Sequence, residues 1–251
     1  MDKKHFWTLR YTLINVTYFA AFCTVHAYAA VYLLDRGFKA VLFDLDGTLL
    51  DTAPDILAAW VGTTVRLGLA SPEESLRRYR IGPPLTEILA ELVPGCGEEL
   101  RRRALCTFGE IYDGSGFPNT RLYPGIPDLL AELRAAGTEL FVATNKRLTP
   151  TKLIIEKSGL AGCFRELWAL PATEGARNKD EMVAILLARH GIDPRRAALV
   201  GDTAGDIHAA RSNDISAVGV DWGYGSVDEL EAAGADVILG ERDLREERHG
   251  K

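Results

Sequence analysis

The residues with the most evident chemical potential are Asp44-Leu45-Asp46-Gly47-Thr48. Two carboxylates two positions apart at the end of an apolar run project from one side of an extended chain. A turn at Gly47 then carries the backbone away and leaves both acids near one point. Like charges that close are costly without a cation or a proton between them. Mg²⁺ is the natural compensator, since it takes hard oxygen ligands. A second acidic pair, Asp202 and Asp206 in Gly201-Asp202-Thr203-Ala204-Gly205-Asp206, is spaced by one helical turn and so can face one way at a helix start. Thr144 and Asn145 end another apolar run, and Lys179 opens a helix after the loop at 175–178. A carboxylate that attacks phosphorus, a second carboxyl that protonates the leaving oxygen and then activates water, and cations that neutralise phosphoryl charge would together make a phosphoryl-transfer site.

Such groups need strand ends to hold them. The runs at 39–46, 138–144, 197–202, 216–220 and 235–239 are rich in Val, Leu, Ile and Ala and read as buried parallel strands. Helical segments at 127–136, 150–158, 179–190, 205–212 and 227–233 separate them. This alternation predicts an α/β fold with a Rossmann-like parallel sheet covered on both faces, with ligands beyond the carboxyl ends of the strands. The interval 53–121 breaks the alternation. Helix-like stretches at 56–67, 72–79, 85–92 and 98–112 suggest a helical cap inserted after the first strand. The expected organisation is therefore a catalytic core of 37–52 and 122–251 and a cap of 53–121, with hinges near Asp51 to Pro54 and Asn119 to Pro124.

The chain has 251 residues, 47% of them hydrophobic and 25% charged, with a formal net charge of -6. That balance leaves no basic excess for nucleic acid. Four cysteines, Cys23, Cys96, Cys106 and Cys163, show neither zinc nor disulfide-framework spacing and read as buried thiols in a reducing compartment. The catalytic part is accordingly expected in the cytoplasm.

Residues 1–36 differ from the rest. Tyr11 to Leu34 contains no Asp, Glu, Lys or Arg, and exceeds the roughly 20 residues needed to cross a bilayer. Asn15, Thr17, Thr24 and His26 keep it only moderately apolar. Three readings stand: a membrane helix, a helix lying on the globular domain, and a signal segment with small residues at Ala27-Tyr28-Ala29. Residues 6–38 also resemble the opening transmembrane helix of a major-facilitator transporter. No second span follows, so the segment reads as an appended hydrophobic helix, in the manner of a fusion, with membrane attachment confined to residues 11–34.

DLDGT at 44–48, Thr144, Lys179 and GDTAGD at 201–206, in that order with a helical insertion after the first, resemble the four motifs of the haloacid dehalogenase superfamily. The resemblance covers about residues 38 to 245. It implies Asp44 as nucleophile and Asp46 as acid/base. Asp44, the main-chain carbonyl of Asp46, Asp202 and Asp206 would ligate Mg²⁺. Gly47, Thr48, Thr144, Asn145 and Lys179 would hold the phosphoryl group. The presence of Asp46 separates the chain from the metal-free dehalogenases, and the Leu at position 45 separates it from the P-type ATPases, which resemble DKTGT. The stretches at 81–89 and 212–239 are similar to phosphoglycolate phosphatases and 5'-nucleotidase-like phosphatases. This implies a small phosphorylated metabolite as substrate, with nucleoside monophosphates, sugar-phosphate mutation and a non-catalytic binding module as alternatives. Gly82 to Pro84 with Arg77, Arg78 or Arg80 would face the leaving group, and similar sequences place Lys146 at the cap interface.

Overall fold

The structure is a computed structural model that describes residues 25–69, 95, 97–170 and 175–240. The expected cap helices at 72–79 and 85–92, the turn at Gly82 to Pro84 and its arginines lie outside the described residues. So does most of the uncharged stretch from Tyr11.

Six strands form one parallel sheet. They are β1 (Ala40–Phe43), β4 (Glu139–Thr144), β5 (Glu166–Ala169), β6 (Ala197–Gly201), β7 (Ser216–Val220) and β8 (Val237–Leu239), in the order β5-β4-β1-β6-β7-β8. β1 lies between β4 and β6, with Phe43 level with Val142 on one side and Val200 on the other. The expected strands are all present. β5 is additional: it is an edge strand paired only with β4, and its first half is half-buried, so it lacks the apolar run that marks its neighbours.

Alternation along β1 divides the core. Val41 and Phe43 face one hydrophobic cluster with Leu129, Leu130 and Leu133 of α4 (Ile126–Ala135) and Ile154 and Ile155 of α5 (Leu148–Lys157). Ala40 and Leu42 face a second cluster. It contains Met182, Val183 and Leu186 of α6 (Lys179–His190), Ile207 and Ala210 of α7 (Ala204–Ser212) and Leu230 of α8 (Val227–Ala232). Helices cover both faces, as an all-parallel sheet requires.

The first cluster also takes in α1 (Val25–Asp35), through the buried side chains of Ala29, Ala30 and Leu33. This part of the uncharged stretch packs against the hydrophobic core beside α4. Among the described residues no helix is long and apolar enough to cross a membrane.

Between β1 and β4 the chain leaves the sheet through a two-stranded antiparallel ribbon, β2 (Leu50–Asp51) and β3 (Arg121–Leu122). Beyond it lie α2 (Ala53–Arg66) and α3 (Glu98–Gly114), packed on one another. The buried rings of Trp60, Phe108, Tyr112 and Phe117 form a ladder along this pair, with successive centroids 4.6, 5.4 and 5.0 Å apart. The ribbon falls where the two crossings were expected. Asp55 ties them: its carboxylate accepts hydrogen bonds from the backbone N–H groups and side chains of both Asn119 and Thr120. Cys106 is exposed and Cys163 half-buried, against the expectation of buried thiols, because Cys106 lies on the solvent side of α3.

Candidate active site

Three neighbouring strands end at the site. β1 stops at Phe43, so Asp44 is the first residue beyond it; Thr144 is the last residue of β4; Asp202 follows β6 directly. The expected strand at 39–46 is thus shorter, and both acids of the first motif stand on the loop. The N-termini of two helices complete the arrangement. Asn178 caps α6 by accepting from the Glu181 N–H at 2.9 Å, which sets Lys179 at the first helical position. Asp206, in the first turn of α7, accepts from the Thr203 N–H at 3.0 Å and hydroxyl at 2.8 Å.

Asp44, Asp202 and Asp206 are all buried, and one oxygen of each lies within 4.8 Å of the others. The Lys179 ammonium donates to Asp44 Oδ1 at 2.8 Å and to Asp206 Oδ1 at 2.5 Å. Asp202 is oriented by two donors, the Thr48 hydroxyl at 3.0 Å and the Tyr224 N–H at 2.7 Å. The loop needs glycine at position 47, where φ is +84° and a Cβ would stand 2.1 Å from Asp202 Oδ2. Removal from water pushes the Asp44 carboxyl up to about 6 although Lys179 pulls it down. Asp202, driven by burial and then by the charges of Asp206 and Asp44, is pushed up to about 8. Burial opposes charge on Lys179, but Asp206 and Asp44 outweigh it and raise its ammonium above the ordinary lysine range.

These observations test the site for a cation. Two of the three buried carboxylates, Asp44 and Asp206, receive the one Lys179 ammonium, and removal from water raises the Asp44 and Asp202 carboxyls above the ordinary aspartate range. The donor set is hard oxygen only, which suits a divalent ion such as Mg²⁺. The residues therefore fit a metal.

Asp46 is placed differently. Its carboxylate is not part of the cluster; it receives the Lys146 ammonium at 3.0 Å on both oxygens and the Thr52 hydroxyl at 2.6 Å. Of the expected ligand atoms, Asp46 could therefore offer only its main-chain carbonyl in this arrangement. Thr144 is buried, and its oxygen accepts from the Lys146 N–H at 3.2 Å. Asn145 is half-buried beside it and makes no side-chain hydrogen bond among the described residues.

Sequence reasoning reached Lys146 only as a cap-facing residue and missed its pairing with Asp46. Its ammonium is nearly fully buried and lies 4.6 Å from the ring centroid of Tyr112 on α3. The next residue, Arg147, makes a two-pronged ion pair with Asp113 of α3 at 2.9 and 2.7 Å. Tyr224 was also missed. While its N–H holds Asp202, its hydroxyl accepts from the N–H groups of Thr52 and Ala53 at 2.7 and 3.0 Å and lies 3.1 Å from Asp51 Oδ1. One residue thus joins the carboxylate cluster to the start of α2. The only sequence signal was a tyrosine between glycines, Gly223 and Gly225, after a strand.

Similarity to known proteins agrees with this geometry. The tyrosine-protein kinase PtkA of Mycobacterium tuberculosis is 34% identical over 201 residues, 80% of this chain and 68% of that protein. Its solved structure superposes with a TM-score of 0.68 over 86% of this chain and 99% of the solved chain, at 32% identity. A 5'-nucleotidase of Pseudomonas aeruginosa is 30% identical, covering 76% of this chain and 86% of its own. A phosphoglycolate phosphatase of Vibrio vulnificus is also 30% identical, covering 80% and 91%. Residues 41–220 match the haloacid dehalogenase-like hydrolases. The chain belongs to the haloacid dehalogenase-like hydrolase family, and its phosphatase relatives place it among the phosphoric monoester hydrolases.

Proposed function

We propose that this chain is a Mg²⁺-dependent phosphatase that hydrolyses a small phosphorylated metabolite of the phosphoglycolate kind through a phospho-aspartate on Asp44. The observation that carries the reading is the buried cluster of Asp44, Asp202 and Asp206 around Lys179, at the carboxyl ends of the central strands. Asp44, Asp202 and Asp206, with the main-chain carbonyl of Asp46, would hold the ion. When bound, Mg²⁺ supplies positive charge against the phosphoryl oxygens and the three carboxylates.

The chain's own residues account for the remaining steps. An Asp44 oxygen attacks phosphorus as the bond to the leaving oxygen breaks, and the Asp46 carboxyl gives that oxygen its proton. Water then attacks the phosphorus of the acyl phosphate and hands a proton to Asp46, which restores both carboxyls and frees phosphate. Lys179, the Thr144 hydroxyl and the loop N–H group at Asn145 neutralise and orient the phosphoryl group, while the Gly47 N–H donates to the Leu50 carbonyl and the Thr48 hydroxyl to Asp202, so these two shape the loop instead. For these steps the Asp46 carboxyl must turn from Lys146 and Thr52 toward Asp44. Residues 37–52 and 122–251 would form the catalytic core, to which the packing of α1 adds residues 25–35. Residues 53–121 would act as a cap hinged on the β2–β3 ribbon, excluding water while the phosphoenzyme forms.

The test is phosphate release with and without Mg²⁺ from 2-phosphoglycolate, nucleoside monophosphates, glucose 1-phosphate and p-nitrophenyl phosphate. One arm offers ATP with a tyrosyl peptide. Metal-dependent release from one alkyl phosphate, lost in Asp44→Asn with the fold intact, supports the reading. Preference for a nucleoside monophosphate would move the substrate class to nucleotides, and phosphotyrosine formation would replace hydrolysis by transfer. Equal activity in Asp44→Asn would end the phospho-aspartate mechanism.

A further inference from the structure

Tyr112 is 2% exposed, and its hydroxyl has no hydrogen-bond partner among the described residues. Buried hydroxyls are normally paired, because leaving one unsatisfied costs stability that a phenylalanine of the same shape would not. Trp60, Arg101 and Trp168 also carry a buried nitrogen without a partner. Tyr112 differs from them in its surroundings. Its ring lies 4.6 Å from the Lys146 ammonium, and that ammonium is 3.0 Å from both oxygens of Asp46. It therefore stands beside the carboxyl that must meet the leaving oxygen. Tyr112 is carried by α3, whereas Lys146 and Asp46 stand on the loops after β4 and β1, so the three meet at a seam between α3 and the sheet. Arg147 and Asp113, which follow Lys146 and Tyr112 in the chain, hold α3 in place by their two-pronged ion pair.

We propose that Tyr112 is a specificity-determining residue, whose hydroxyl donates to an oxygen of the substrate's leaving group, with the Lys146 ammonium beside it favouring an anionic one. The seam thus selects phosphate esters of short carboxylate-bearing alcohols. Such an oxygen would satisfy the hydroxyl left unpaired among the described residues, and a leaving group without it would bury the same donor unsatisfied. Rejection by an unmet donor is stronger than rejection by a missing apolar contact. This assignment rests on the phosphatase reading, so its test includes binding without turnover.

The probes are 2-phosphoglycolate and ethyl phosphate, which differ by the carboxylate, and the variant is Tyr112→Phe, which removes one oxygen. Wild type should prefer 2-phosphoglycolate. In Tyr112→Phe its kcat/KM should fall by about 10- to 100-fold, while that of ethyl phosphate stays within about twofold and Tm stays level or rises. In the inert Asp44→Asn background with Mg²⁺, 2-phosphoglycolate should raise Tm, and adding Tyr112→Phe should abolish most of that rise. Equal losses for both esters, no wild-type preference for 2-phosphoglycolate, or a lower Tm in Tyr112→Phe would each overturn the assignment. Absence of turnover alongside a Tyr112-dependent Tm rise would count against the phosphatase reading and leave the binding role standing.

Discussion

Asp202→Asn should change how the metal-free protein's stability depends on pH. In the wild type, burial and then the charges of Asp206 and Asp44 push the Asp202 carboxyl up to about 8, against about 3.9 in an unfolded chain. A carboxyl with a higher pKa in the folded state takes up a proton on folding between those two values. Its contribution is fully present below about pH 4 and is lost as pH rises through about 8. Within that window one proton gives a slope near 1.4 kcal/mol per pH unit, or about 3 kcal/mol between pH 5 and pH 7. Asparagine has no proton to lose. It also cannot accept from both the Thr48 hydroxyl and the Tyr224 N–H, which adds a cost that does not vary with pH. Asp44, pushed up to about 6, loses its own contribution between about pH 4 and 6 in the wild type; since its charge and that of Asp202 act on each other, the difference between the two curves reports Asp202 most directly above about pH 6. The assay is urea unfolding in EDTA at pH 5, 6, 7 and 8. The stability difference should shift in favour of Asp202→Asn by about 1 kcal/mol or more per pH unit up to pH 7. Mg²⁺ at a hundred times its pH 8 Kd should restore about 2.7 kcal/mol to the wild type at pH 8, less at the same concentration and lower pH, and much less to the variant. Parallel curves for the two proteins from pH 5 to pH 8 would refute the argument that burial keeps a proton on Asp202.

Two further substitutions examine the scaffold. Asp55→Ala removes the acceptor shared by Asn119 and Thr120. It should cost roughly 2–4 kcal/mol in urea unfolding and speed limited proteolysis at residues 51–55 and 118–121; unchanged cleavage there would show that Asp55 does not tie the crossings. Leu33→Ala empties a position that is 1% exposed in α1. It should cost about 2–5 kcal/mol and lower Tm without changing KM, whereas a full-length variant as stable as the wild type would deny α1 a place in the core.

The carboxylate cluster was legible in the sequence because each of its members is fixed by a local rule. Asp44 and Asp202 follow short apolar runs, Asp206 lies one helical turn beyond Asp202, and Lys179 follows an asparagine suited to capping. A parallel sheet then brings the ends of β1, β4 and β6 side by side with no further information. Where the local rule was weak the reading failed: β5 begins Glu166-Leu167 at an exposed edge and lacks the apolar run that identified the other strands.

The seam against α3 was illegible for a different reason. Lys146 meets Asp46 across a separation of 100 residues, and Tyr112 joins them from a helix whose orientation depends on the ribbon, on Asp55 and on Tyr224. No spacing in the chain encodes that rotation. The two halves of the site differ in what they can specify for the same reason. Groups at strand ends keep a fixed geometry set by the sheet, so they suit the phosphoryl group, which every substrate presents alike. Groups on α3 are placed by long-range contacts around the β2–β3 ribbon, so small changes in those contacts can redirect them without disturbing Asp44. On the proposed reading, recognition of the leaving group belongs on that side of the site, where the Tyr112 hydroxyl is buried with no hydrogen-bond partner among the described residues.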